Sequence, residues 1–98
     1  MAKRPMGIAA SFANVTFKKD DEEIYTARVS NGGCLGRDKA DIVINRAYAK
    51  LKQAIDDGEL KTSALDFNRV SVGRNEFEIA TPHGADRIAK SEIKHVSP

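Results

Sequence analysis

Hydrophobic and polar residues alternate in two short runs near the start of the chain. Alternation with a period of two is typical of a β-strand that buries one of its faces. The apolar members are Ala13, Val15 and Phe17 in the first run, and Tyr25, Ala27 and Val29 in the second. A short charged stretch, residues 19–22, separates the runs, so the pattern predicts an antiparallel hairpin that begins at Phe12.

The spacing of the apolar residues becomes helical in the middle of the chain. They recur every three or four positions, at Val43, Ile44, Ala47, Leu51, Ala54 and Ile55. This periodicity places them on one face of an α-helix. Asp38 is suited to cap the start of the helix, and Gly58 is suited to end it because glycine tolerates a left-handed backbone. We therefore predict a helix over residues 39–57.

A second hairpin and a second helix are predicted in the last part of the chain. The apolar residues of the two strands are Leu65, Phe67, Val70 and Val72, followed by Phe77 and Ile79. Between the strands, residues 73–75 have the composition of a turn. The apolar positions of a short final helix are Ala85, Ile88, Ala89, Ile93 and Val96.

The predicted order of elements is therefore β-β-α-β-β-α. Its simplest fold is an α+β domain, a four-stranded antiparallel sheet with two helices on one face. The opposite face would be mostly polar and would meet water or a partner; it would carry Thr16, Lys18, Arg28, Glu76 and Glu78. The length of 98 residues fits one domain, residues 1–98, in which Pro5 and Gly7 make residues 1–7 a predicted flexible arm.

Composition and charge narrow the function only slightly. The chain is 41% hydrophobic and 31% charged, which is ordinary for a globular protein, and its net charge is only +2. A nucleic-acid-binding protein usually concentrates far more positive charge on one face. No apolar run approaches the roughly 18 residues of a membrane span. The single cysteine cannot form an internal disulfide, so we expect a cytoplasmic protein without a membrane segment.

A glycine-rich stretch, residues 30–38, joins the first hairpin to the first helix. Glycines before a helix can cradle a phosphate, but the complete spacing of a dinucleotide or nucleotide loop is absent. We therefore expect that Gly32–Gly36 mainly form a corner, with glycine supplying the positive φ that the turn needs. Contact of this corner with an anion or with a protein remains an alternative.

The sequence predicts no catalytic, cofactor-binding or metal-binding residue. Cys34 precedes a helix, where a thiolate is favoured, but no cysteine-enzyme signature surrounds it. Asp38 is the other weak catalytic candidate beside the same corner. His83 and His95 are widely separated in the sequence and, with the single cysteine, make a poor metal set. We therefore predict that the protein is not an enzyme.

The remaining prediction is a non-enzymatic binding protein that acts through a protein–protein surface. Small regulators and inhibitors belong to this class, including proteins of phages and mobile elements. The predicted contact residues are Asp20, Asp21 and Glu22 at the hairpin tip, Arg37, Lys39, Arg46 and Lys50 as cations, and Tyr48 as an exposed ring. The alternative is a small nucleic-acid-binding protein that uses Lys3 and Arg4 with the cations of the first helix. A homodimer formed through an edge strand is compatible with both functions.

Overall fold

The computed structural model describes residues 11–32, 38–80 and 88–97. These residues form an α+β domain, as the sequence predicts, but with one five-stranded antiparallel sheet and one α-helix. The predicted sheet of four strands with two helices is therefore wrong in its detail. The predicted arm, residues 1–7, lies outside the described residues. Among the described helices, none has the length and apolar character needed to cross a membrane.

The predicted hairpin is present. Strand β1 (Phe12–Lys19) pairs with β2 (Glu22–Ser30) in antiparallel register, and the turn between them is Asp20–Asp21. Asp20 has a positive φ of 56°, and its amide donates to Asn68 Oδ1 at 2.9 Å. The Asn68 amide group donates in return to Asp20 Oδ1 at 3.2 Å, so the hairpin tip is fixed to the body of the domain.

Helix α1 spans Ala40–Asp56, which agrees with the predicted range to within one residue at each end. Asp38 does not cap it; the preceding residue is Lys39, and the Asp38 carboxylate pairs with Arg46 instead. The predicted role of Gly58 at the other end is confirmed. Gly58 has a φ of +83°, and the next amide, that of Glu59, donates back to the Ala54 carbonyl at 2.9 Å.

The second hairpin is shorter than predicted. Strand β3 (Arg69–Val72) pairs with β4 (Asn75–Ile79), whereas Leu65 belongs to a 3₁₀ helix, Thr62–Asp66, that precedes β3. Because β1 pairs with both β2 and β3, it lies inside the sheet.

The predicted final helix is wrong within the described residues. A 3₁₀ turn, Lys90–Glu92, leads into strand β5 (Ile93–Ser97), which pairs with β4 and completes the order β2-β1-β3-β4-β5. Ile93 and His95 lie opposite Ile79 and Phe77 in the register. Alternate residues of a strand face the same side of the sheet. The long-range pairing of β5 with β4 therefore outweighs the helical spacing of a few apolar residues, which had predicted a helix.

The core lies between α1 and one face of the sheet. Its centre is a group of aromatic rings: Phe17 and Phe67 meet edge to face at 4.8 Å, and Tyr48 meets Phe67 at 5.9 Å. Ile88 also enters the core and is 1% exposed. The polar face predicted for the sheet lies opposite, where Thr16 and Thr26 are hydrogen-bonded across the strands at 2.9 Å.

Candidate protein-binding surface

The predicted contact residues of the hairpin tip lie at the same end of the molecule as the end of α1. Two hydrogen bonds show that the helix runs antiparallel to β2: the Arg46 side chain donates to the Ser30 carbonyl at 2.8 Å, and the Lys50 side chain donates to the Arg28 carbonyl at 3.0 Å. Later residues of the helix therefore lie beside earlier residues of β2. This arrangement brings residues 57–66 next to the acidic tip of the hairpin.

A groove of about 510 Å³ opens where these segments meet. We call it the tip groove, and its lining residues are Lys19, Glu22, Glu23, Ile24, Glu59, Leu60, Lys61, Ser63, Ala64 and Asp66. Of the three predicted tip residues, Glu22 lines the groove, whereas Asp20 and Asp21 form the exposed turn beside it.

The floor of the tip groove is apolar and continuous with the core. Ala64 is 6% exposed, and the half-buried side chains of Ile24 and Leu60 pack against the core cluster. Contact between apolar side chains and the core fixes their position. The floor is therefore a preformed surface.

A register shift in the hairpin accounts for the position of Ile24. Phe17 is paired with Tyr25, but the next residue, Lys18, is paired with Glu23, so Ile24 is an extra residue in β2. A bulge of this kind re-aims side chains. Without the bulge, Ile24 would share the open face of the sheet with Thr26, whereas here it packs against the core beside the groove.

The rim of the tip groove is predominantly acidic. The rim carries four carboxylates and two cations, so its net charge is −2. The carboxylates are those of Glu22, Glu23, Glu59 and Asp66, and the cations are Lys19 and Lys61. In the part of the chain that the structure describes, no ion pair is seen for Glu22, Glu23 or Glu59. Glu59, Leu60 and Asp66 are not among the contact residues predicted from the sequence. The backward turn at Gly58 was the one local signal that the chain returns towards the hairpin.

The predicted cations of α1 have different environments. The bonds from Arg46 and Lys50 to carbonyls of β2 occupy acceptors along an edge of the sheet. Lys39 lines a separate groove of about 320 Å³ with Phe77, Ile93 and other residues. The rim of that groove carries both signs, Lys39 and Asp41 among them. A role for these cations in protein or nucleic-acid contact stays a prediction, as does the edge-strand homodimer.

Tyr48 is not an exposed ring. It is 2% exposed, because position 48 lies four residues after Ile44 and three before Leu51, inside the buried stripe of α1. The expectation that its ring is exposed, on which its predicted contact role rested, is wrong. Its hydroxyl is buried without a hydrogen-bond partner among the described residues.

Of the glycine-rich stretch, the structure describes only the residues at its two ends, 30–32 and 38. Gly32 has a φ of +97°, as expected for a glycine that turns the chain out of β2. Asn31 Oδ1 accepts a hydrogen bond from the Asp38 amide at 3.2 Å on the other side of the corner. Arg37, with Cys34 and Gly33–Gly36, lies outside the described residues, as do His83 and the cations Lys3 and Arg4.

The open face of the sheet carries an ion-pair network centred on Glu76. Lys18 Nζ lies 3.2 Å from Glu76 Oε2, which also accepts a hydrogen bond from Ser71 at 3.0 Å. These two bonds, the Lys18 bond first, hold the pKa of Glu76 below its ordinary value. Because the charges are paired within the face, the network resembles a hydrated protein surface more closely than a charged docking site.

The residues that the structure describes hold no group of three histidine, cysteine or carboxylate side chains arranged to bind a metal ion. No protein-family model matches the chain, and comparisons with curated proteins and with solved structures find no similar protein.

Proposed function

We propose that this chain is a non-enzymatic binding protein that acts through a protein–protein surface, and that the tip groove is this surface. The proposal is supported by one observation: an apolar floor, continuous with the core, is accessible inside a polar rim. Protein interfaces are built in the same way, with an apolar centre that excludes water and a polar periphery.

The shape of the tip groove also favours this function. Strand β2 and the 3₁₀ helix Thr62–Asp66 supply six of its ten lining residues, and its floor packs against the core. A preformed surface loses little conformational entropy when a partner binds. A domain of this size that presents such a groove is suited to the predicted role of a small regulator or inhibitor.

Site-directed photo-cross-linking in cells that express the chain tests the proposal. Ser63 is exposed and lines the tip groove, so a photo-reactive amino acid there should cross-link to a protein. Ala49 is exposed on α1 outside the groove and is the matched control position. We expect adducts from position 63 that resist nuclease and are absent from position 49.

Two results would count against the proposal. Equal adducts from both positions would show that no specific partner occupies the tip groove. Adducts that disappear with nuclease would favour the nucleic-acid alternative, whose own signature is an affinity that falls steeply with salt.

A further inference from the structure

We infer that the partner presents a basic segment, with lysine or arginine side chains flanking one apolar side chain, to the tip groove. This inference rests on the proposed function and names the chemistry of the partner. Three observations point to it: the apolar floor, the acidic rim and the charge at the end of α1.

The floor requires an apolar side chain from the partner. Ile24, Leu60 and Ala64 leave an apolar surface in a groove of about 510 Å³. Covering this surface removes it from water, which contributes roughly 25 cal/mol per Å² of apolar area. A wholly polar segment would lose its hydration at the floor without a hydrogen bond in return.

The rim requires positive charge around that apolar side chain. Four carboxylates and two ammonium groups line the groove, and Asp20 and Asp21 lie at the adjacent turn. An acidic partner would meet like charge on most sides, whereas a basic partner gains attraction and faster association.

The end of α1 adds to the same potential. The carboxyl end of a helix carries a partial negative charge that favours nearby cations. Here the last turn has no basic residue, and Asp56 and Asp57 stand at the end of the helix. Acidic residues at this position oppose the helix dipole, although the Asp57 carboxylate accepts a hydrogen bond from Gln53 Nε2 at 2.9 Å. Neither residue lines the tip groove, so their charges add to the negative potential near the groove without contacting its occupant.

Selection from a display library of random short peptides on the immobilised full chain tests the inference. We expect enriched peptides to combine lysine or arginine with an apolar residue, and to bind more weakly as the sodium chloride concentration rises. Ser63→Trp should abolish their binding because the indole fills the groove. Ala49→Trp introduces the same side chain at an exposed position of α1 and should leave peptide binding unchanged.

A pair of charge variants measures the contribution of the rim. Glu59→Gln should lower the affinity for the selected peptides about two- to fivefold, the range expected for the loss of one exposed ion pair. Glu78→Gln removes the same charge from the open face of the sheet and should have no effect. Circular dichroism of each variant verifies that the fold is retained.

The outcomes separate the inference from the proposed function. Acidic or uncharged peptides that are blocked by Ser63→Trp would overturn the inference and leave the binding function intact. Selected peptides whose binding is unchanged by Ser63→Trp would also overturn the inference. So would a selection that enriches no peptide. The proposed function is tested separately, by the cross-linking from position 63, and falls if that cross-linking gives no specific protein adduct.

Discussion

The hydrogen bonds of Asn45 attach the segment before β5 to α1, and their removal should destabilise the domain. Asn45 Nδ2 donates to the Ile88 carbonyl at 2.7 Å and to the Asp41 carbonyl at 2.8 Å. Its Oδ1 accepts the Ile88 amide at 2.5 Å. One side chain thus satisfies both backbone polar groups of a residue whose own side chain is 1% exposed.

The expected magnitude follows from these partners. Asn45→Ala leaves the Ile88 amide and carbonyl without their partner, and each buried unsatisfied group costs about 1–3 kcal/mol. Alanine recovers roughly half a kcal/mol because asparagine is the poorer helix former. Because both bonds to Ile88 are only partly buried, about 1–2 kcal/mol applies to each group. We therefore expect the free energy of unfolding to fall by about 1.5–3.5 kcal/mol, which corresponds to a melting temperature lower by roughly 6–28 °C.

Urea denaturation followed by circular dichroism measures this loss, and amide hydrogen exchange locates it. Gln53→Ala is the matched control, because Gln53 is an exposed helical amide whose side chain donates to the exposed Asp57 side chain at 2.9 Å. The control should change stability by no more than about 0.5 kcal/mol. If Asn45→Ala matched the control and the Ile88 amide kept its protection from exchange, the reasoning would be refuted.

Three other predictions concern groups whose environments are unusual. Tyr48→Phe should stabilise the domain by about 1 kcal/mol, because it removes a buried hydroxyl that lacks a described partner; urea denaturation that shows a clear loss would contradict this. Glu76 has a lowered pKa in the folded state, so its contribution to stability is present at neutral pH and is lost as the pH falls through that pKa. Lys18→Met should raise the pKa of Glu76, which an NMR titration of its side chain measures; an unchanged titration would exclude the assigned cause. Arg46→Ala combined with Lys50→Ala exposes two strand carbonyls and should produce concentration-dependent association in analytical ultracentrifugation. A double variant that remains at the wild-type oligomeric state at every concentration would show that these cations do not protect the edge.

Elements defined by local periodicity were predictable from the sequence. The hairpin and α1 each show several periods of their own pattern, and Gly58 marks the helix end because its φ of +83° suits glycine. Strand β5 was not predictable in this way. It is short, and the feature that makes it a strand is its pairing with β4, which lies more than a dozen residues earlier in the chain.

The candidate surface was predictable only in part, for the same reason. The acidic residues of the hairpin tip are adjacent in the sequence, so Glu22 was identified. Glu59 and Leu60 join it only because α1 runs back along β2, a tertiary arrangement with no local pattern. Tyr48 was misplaced because an aromatic residue with a polar group fits either a surface or a core stripe.

The bonds from Arg46 and Lys50 to the β2 carbonyls have a consequence for how copies of this chain can assemble. An antiparallel sheet grows by adding strands at either margin, and unlimited growth needs two receptive margins on each molecule. Here two acceptors along β2 are already taken, while β5 forms the opposite margin. If two copies join through β5 alone, each has used its β5 margin, and the pair then grows further only where a β2 margin with two occupied carbonyls accepts a strand.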